Sequence, residues 1–551
     1  MWHLAFERTL ERRTYEAVLA RASHPVPVAE RPKFQVICCI DDREESFRRY
    51  LEGMGSHIVT YGTAGFFGVD IEFQDIEQNR SAFCPVVITP KHRVTEVPAQ
   101  GKEHTLNTKQ RMQRGVHISR SFLAASSRTA FPGLAVALAG SLAVIPMGIR
   151  TIFPRINHFF SEWSSDDATE VLYHRSPTDQ EFSSEIHLGF TVEEMVTRVS
   201  GLLKGIGLVH GFAPLVVLFG HGSSSKNNPF RSAYDCGACG GRPGRINSRV
   251  FALMANRPDV RGKLIDLGFD IPNYTHFIGG YHDTCNDAVV YFDADAIPKE
   301  HRQLFAELKE AVDAARRRNA GERVRRFGYT APRDAERALL HVEGRSHHIA
   351  EPRPEYGHAT NAICIVGRRT HTRGVFLDRR SFLVSYDPTI DGQGTILQGL
   401  LTAVIPVCMG INLEYFFSAV DNNTYGAGTK LPLNVSALIG TITGYSSDLR
   451  TGLPAQMVEI HEPVRLITII DSSVAMVATV LERVPNLKRI IHNEWVRAAV
   501  YDAELRKIFR ITPEGIVEAS TLDKFSAEEV TQEFFSPAAS QDNLPFFPTN
   551  I

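Results

Sequence analysis

Phe34-Gln-Val-Ile-Cys-Cys-Ile40 is a short apolar, β-branched run that passes into Asp41-Asp-Arg-Glu-Glu45 and then into Phe47, Leu51 and Met54 at helical spacing. That order reads as strand, loop, helix. A second junction of the same kind lies downstream. Thr191-Val-Glu-Glu194 has the pattern of a helix capping box, and Met195, Val196, Val199, Leu202, Leu203 and Ile206 recur on one helical face. The predicted helix leads into Ala213-Pro-Leu-Val-Val-Leu-Phe219, whose continuous apolar character is that of a strand covered on both sides. Strands alternating with helices imply an α/β fold with a largely parallel sheet. Ligands gather beyond the carboxyl ends of the strands in such sheets. Both apolar runs end directly in chemically loaded sequences, Cys39-Ile-Asp41 and Gly220-His221-Gly222.

Composition bounds the rest. The chain has 551 residues, 43% of them hydrophobic and 22% charged, with a formal net charge of -2. These values exclude a disordered, collagen-like or coiled-coil protein, and there is no basic surplus for a nucleic-acid partner. Cysteines at 38, 39, 84, 236, 239, 285, 364 and 408 are too sparse for a disulfide scaffold and fit a reducing compartment. The first residues reach charge at Glu7 without a secretory-signal core, so exposure to the cytoplasm is expected. Segments 129–149 and 392–413 carry no charge and approach the roughly 20 residues that cross a bilayer. Pro and Gly interrupt both, which predicts buried or membrane-adjacent helical hairpins. Leu304, Leu308 and Val312 beneath Arg316-Arg-Arg318 and the arginines from Arg323 to Arg326 predict a charged surface helix. The expected division is a metal-binding α/β domain over 1–298, a charged helical connection over 299–345 and a second α/β half over 346–551, opened by Asn361-Ala-Ile-Cys-Ile-Val-Gly367.

Cys39, Asp41 and Arg43 alternate along an extended segment, so all three can project to one side. Thiolate, imidazole and carboxylate suit tetrahedral Zn²⁺, and His221 with Cys236 would complete a Cys₂His plus Asp set. The 15 residues from His221 to Cys236 are not a local zinc-finger spacing, so spacing alone supports the pairing weakly. Cys236-Gly-Ala-Cys239 also reads as a redox pair or half a zinc ribbon, but no second Cys-x-x-Cys exists, which leaves Cys239 to pack beside a ligand. Gly220-His-Gly-Ser-Ser-Ser-Lys226 lacks the Gly before Lys and the hydroxyl after it that a phosphate loop needs. Gly205-Ile-Gly207 precedes its strand and so reads as a helix-to-strand turn. Glu459, His461 and Glu462 lack companion ligands and read as a hydrogen-bonded network, and His347-His348 as part of a solvated polar loop.

Cys39-Ile-Asp-Asp-Arg-Glu-Glu-Ser46, Gly220-His-Gly222 with Tyr234-Asp-Cys-Gly-Ala-Cys-Gly-Gly241, and Gly452-Leu-Pro-Ala-Gln-Met-Val-Glu-Ile-His-Glu-Pro463 together resemble the DabA family, in the family's order. Members are large zinc-binding subunits of energy-coupled inorganic carbon transporters. They work with a membrane subunit of DabB type that resembles cation-antiporter subunits. The resemblance implies a site like that of a β-type carbonic anhydrase, at strand carboxyl ends, with Zn²⁺ on Cys39, Asp41, His221 and Cys236. Asp41 and Arg43 would form the catalytic pair. An ion pair with Arg43 would draw Asp41 off the metal and open a position for water, whose pKa zinc lowers to about 7. CO₂ and bicarbonate are the implied small molecules, the cytoplasmic side of the inner membrane the implied location, and a homo-oligomer is compatible. Only 38 residues precede Cys39, fewer than family members usually carry ahead of that motif.

Overall fold

The computed structural model describes residues 2–102, 169–175, 186–224, 234–327, 334–348, 354–355, 357–358, 360–421 and 464–519, with a few shorter stretches between them. Along the first half run α1 (Trp2–Ser23), β1 (Phe34–Cys39), α2 (Glu45–Glu52) and β2 (Ile58–Thr63). Short strands follow: β3 (Ile71–Gln74), β4 (Arg80–Phe83), β5 (His92–Pro98), β6 (Thr169–Leu172) and β7 (His187–Leu188). Then come α3 (Val192–Gly205), β8 (Leu215–Gly222), α4 (Arg245–Ala255), α5 (Pro258–Asp266), β9 (His276–Asp283) and β10 (Val289–Tyr291). Two helices, α6 (Arg302–Val324) and α7 (Ala335–His347), lead to β11 (Ile363–Gly367), β12 (Ser381–Ser385) and α8 (Thr395–Val420). The chain continues through β13 (Asn434–Ser436), β14 (Gly440–Ile442), β15 (Ile467–Asp471), α9 (Val474–Arg483), α10 (Pro485–His492), β16 (Arg497–Asp502), β17 (Lys507–Thr512) and β18 (Gly515–Glu518).

The fold is α/β, as expected. The first sheet has the order β10-β9-β8-β1-β2, parallel throughout except for the edge strand β10. Because successive side chains on a strand face opposite ways, β1 and β8 feed two helical layers. Ile37, Val216 and Leu218 pack on Met195, Val199 and Leu203 of α3 and on Val250, Phe251 and Met254 of α4. Phe34, Val36, Leu215 and Val217 pack on Phe47 and Leu51 of α2 and on Leu308 and Val312 of α6. The expected capping box forms, with Glu194 N donating to Thr191 Oγ1 and Thr191 N to the Glu194 carboxylate. The expected helix-to-strand turn forms too, with Gly207 at φ 80°.

The second sheet has the order β12-β11-β15-β16-β17-β18, parallel over its first four strands. The two sheets meet edge to edge. Leu383 N of β12 donates to Ile40 O at 3.0 Å, Gly62 N of β2 donates to Ser385 Oγ at 2.9 Å, and Arg48 Nη1 donates to Leu383 O at 3.0 Å.

Three expectations are corrected. Residues 395–420 form one helix, not a hairpin, because Pro406 sits inside α8 without breaking it. The arginines of α6 are not all at the surface: Arg323 is fully buried and bonds Asp287 and the carbonyls of Thr284, Cys285 and Pro354. His347 is buried as the last residue of α7 rather than solvated. Glu459, His461, Glu462 and most of 129–149 lie outside the described residues.

A side chain at Gly62 would collide with the seam, since a Cβ there would stand 1.9 Å from Leu383 O and 2.5 Å from Arg48 Nη1. Gly62→Ala is therefore expected to cost roughly 3 kcal/mol or more in an unfolding titration. Gly262→Ala, in open space on α5, should be neutral or gain up to about 1 kcal/mol. Equal stabilities for the two variants would refute the tight seam.

Candidate metal centre

β1 is followed in the chain by β2 on one side, whereas β8 lies on its other side, so the direction of winding reverses between β1 and β8. A crevice opens at such a reversal beyond the strand ends. Cys39 closes β1, and His221 lies at the end of β8. The parallel register Ile37↔Leu218, continued along both strands, brings these two ends level. Cys236 arrives from the following loop. Its carbonyl accepts from Cys239 N and Gly241 N in a tight turn whose Gly240 and Gly241 have φ 68° and 72°. Ligand atoms of Cys39, His221 and Cys236 all lie within 4.8 Å of one another, and all three residues are buried.

The surroundings fit a metal. Both ring nitrogens of His221 are buried without a hydrogen-bond partner among the described residues, which is costly unless something else binds them. A hydrogen bond donated to Cys236 and burial push the Cys39 thiol well above the usual thiol range, and a hydrogen bond with Cys239 together with burial pushes Cys236 up as well. Burial would lower the His221 imidazole, but Cys39 and Asp41 outweigh it and raise it to about 9. The thiolates that a metal needs are thus disfavoured while the site holds only protons, and a bound cation would reverse the thiol shifts. Glycine leaves the room required. A Cβ at Gly65 would lie 2.7 Å from Cys236 Sγ and 3.1 Å from Cys39 Sγ. Ile40, Phe66 and Ala238 pack around the thiols together with buried Cys239.

Asp41 stands beside this trio rather than within it. Its carboxylate accepts Arg43 Nε and Nη2, each at 2.8 Å, and the Arg43 backbone N at 3.0 Å, while Oδ2 lies 3.6 Å from His221 Nε2. Burial would raise the Asp41 carboxyl, but Arg43 holds it well below the usual carboxylate range. The structure thus unites three of the four expected ligands and places the fourth on its expected arginine.

Sequence reading missed the residues that hold this pair. Arg43 Nη1 also donates to Glu355 Oε1 at 2.6 Å and to the Tyr234 carbonyl. Glu355 accepts Thr284 Oγ1 at 3.0 Å and the Ser223 hydroxyl. His358 Nδ1 bonds Asp42 Oδ1 at 2.6 Å, and its Nε2 lies 3.8 Å from Asp41 Oδ2. His282, opposite His221 in register, is clamped between Glu44 at 3.0 Å and Asp287 at 3.3 Å and stacks on Phe47. Gly279-Gly-Tyr-His-Asp-Thr-Cys-Asn-Asp287 carried the signal for these last residues, being a third strand end loaded with polar groups.

The model of the family described as probable inorganic carbon transporter subunit DabA matches residues 1–496. This chain belongs to the DabA family. Among curated relatives, probable inorganic carbon transporter subunit DabA 1 of Sorangium cellulosum (strain So ce56) is 44% identical over 534 residues, which is 95% of this chain and 52% of that protein. The DabA relative of Dechloromonas aromatica (strain RCB) is 41% identical, over 91% of this chain and 50% of its own length. That of Azotobacter vinelandii (strain DJ / ATCC BAA-1303) is 39% identical, over 98% and 63%. The chain spans about half the length of the first two relatives. No solved structure matches it.

The buried clamp on His282 has a pH signature. Burial would lower this imidazole, but Glu44 and Asp287 raise it from 6.5 to about 9. Its stabilisation is therefore present in full below about pH 6.5 and is lost as the pH rises through about 9, a swing on the order of 3 kcal/mol. Unfolding free energies of the chelator-treated chain should fall across that window, and those of His282→Gln should fall less. Parallel losses in the two proteins would sink the assignment.

Proposed function

We propose that the chain holds Zn²⁺ on Cys39, His221 and Cys236, with Asp41 as a releasable fourth ligand. In this reading it acts in an inorganic carbon transporter that hydrates CO₂ to bicarbonate in one direction only. The convergence of two buried thiols and an unbonded buried imidazole beside an arginine-held carboxylate carries this reading. Bound zinc supplies the Lewis acidity that makes water nucleophilic near neutral pH. The chain's own residues do the rest. Ile40, Phe66 and Ala238 give the thiols an apolar wall suited to an uncharged substrate. Arg43 competes for Asp41, so the carboxylate either closes the metal's fourth position or leaves it free. A reversible anhydrase open at all times would let accumulated bicarbonate escape as CO₂, so one-way transport needs such a closure.

The driving partner is a membrane cation-translocating subunit of DabB type, met from the cytoplasmic side of the inner membrane. Support comes from α8, which has no charged residue from Thr395 to Leu413. Leu397, Leu401, Ile405 and Cys408 bury one face against the second sheet. Gly399, Ala403, Pro406, Val407 and Gly410 remain exposed on the other. α8 is long and apolar enough to cross a membrane, but a helix whose one face belongs to the core of this fold lies along the surface instead. Its small exposed residues suit close approach by a transmembrane helix.

Two tests separate the parts of this reading. Cys39→Ala, His221→Ala and Cys236→Ala should each lose most of the one zinc per chain, whereas Asp41→Asn should keep most of it and lose gradient-driven uptake. Zinc content like that of wild type in all three ligand variants would remove the site. Vesicles with and without the membrane subunit, assayed before and after an ionophore, test the coupling. Robust CO₂ hydration by the chain alone would favour a freestanding lyase, and bound zinc with no hydration under any condition would favour a structural metal.

A further inference from the structure

Arg43 is a single buried cation between two buried carboxylates. It is bidentate to Asp41, and its Nη1 donates both to Glu355 Oε1 at 2.6 Å and to the Tyr234 carbonyl. Glu355 comes from the chain between α7 and β11 and is fastened by Ser223 just after β8, by Thr284 just after β9 and by Arg43 just after β1, one donor from the end of each of three neighbouring strands. We infer that Glu355 is the counter-carboxylate that lets Asp41 leave Arg43, and so a positioning residue that sets how far the metal's fourth position is closed. The inference rests on the zinc reading above and adds a residue to it.

The physical argument is one of competition. A buried arginine deprived of its only anion is strongly disfavoured, so Asp41 could not depart if it were the sole partner. Glu355 keeps the guanidinium neutralised after Asp41 moves, and while Asp41 is in place the two carboxylates repel one another across it. Both effects push Asp41 toward the metal. Removing the Glu355 charge must then leave Asp41 more tightly on Arg43 and the fourth position more open. Removing the Thr284 hydroxyl must act the other way, since a carboxylate that loses a donor leans harder on Arg43.

The experiment loads the chain with Co²⁺ and titrates thiocyanate, following the visible bands of the metal, whose saturable change with thiocyanate concentration reports entry of the anion beside the protein ligands. Asp41→Asn marks the open extreme. Glu355→Gln should reach half-saturation at a thiocyanate concentration about tenfold below that of wild type. Thr284→Val should need a higher concentration than wild type. The Asp41→Asn, Glu355→Gln double variant should match Asp41→Asn, because without the carboxylate Glu355 has nothing to gate. Half-saturation of Glu355→Gln at the wild-type value, or an additive effect in the double variant, overturns the inference while leaving the zinc site standing. Failure of the wild type to take up Co²⁺ overturns both. If thermal unfolding shows Glu355→Gln to be misfolded, Thr284→Val decides alone, and an unchanged or lowered half-saturation there overturns the inference.

Discussion

The fold depends on the burial of a run of charge. Asp41, Asp42, Arg43, Glu44 and Glu45 follow a fully buried strand, and all five are themselves buried. Unpaired, such groups would cost several kcal/mol each, so every one must find a partner. Beyond the local pairs Asp41 with Arg43 and Glu45 with Arg49, the partners come from distant parts of the chain. His358 takes Asp42, Glu355 takes Arg43, His282 takes Glu44, and Arg49 with the backbone N of Arg379 takes Glu45. The loop after β1 is thus satisfied only when both sheets are in place. Glu52 repeats the pattern one helix later, held by Arg369 from the second half.

The same constraint makes a precise site. The winding reversal brings Cys39 and His221 to one crevice, but a crevice alone does not fix the carboxylate of Asp41. The polar network around Arg43 holds it where it is seen: the guanidinium bonds Asp41, the Tyr234 carbonyl and Glu355, and Glu355 is itself held by Ser223 and Thr284 from the ends of β8 and β9. An arginine presents its donors in a fixed planar fork, so Asp41 and Glu355 meet it in defined geometry rather than as loose counter-ions. A lysine at position 43 would neutralise the same charge without directing either carboxylate.

Local signals were legible and long-range ones were not. The apolar runs at β1 and β8, the capping box at Thr191 and the Cys-x-Asp-x-Arg spacing are written within a few residues each, and the structure contains all four features. Glu355 sits in Glu351-Pro-Arg-Pro-Glu355, a stretch without periodicity, and nothing local marks it as buried. Arg323 looked like one more surface charge because Arg316 to Arg318 precede it and Arg325 and Arg326 follow it, and its burial is explained only by distant partners, Asp287 and the carbonyls of Thr284, Cys285 and Pro354. Pro406 misled for a different reason. A proline removes one helix hydrogen bond, but the apolar face beneath α8, with Val404, Ile405 and Cys408 buried in the core, outweighs that loss.

The packing also gives the surface helix a physical connection to the site. On α8, Asn412 is buried and donates to Asn361 Oδ1 at 3.0 Å and to the Val464 carbonyl at 3.1 Å. Asn361 in turn donates through Nδ2 to the His358 carbonyl at 2.6 Å, and His358 bonds Asp42 beside Asp41. Four side chains therefore separate the uncharged face from the carboxylate. Contiguity of this kind is a route and not yet a coupling, because a contact that suits both positions of Asp41 equally would shift neither. A partner bound to α8 would move the site only if it displaced Asn412 in one state and not in the other. The donor at Asn412 is buried and pinned to two separate chain segments, so any such displacement must break or remake hydrogen bonds. That requirement favours two discrete arrangements over a graded response.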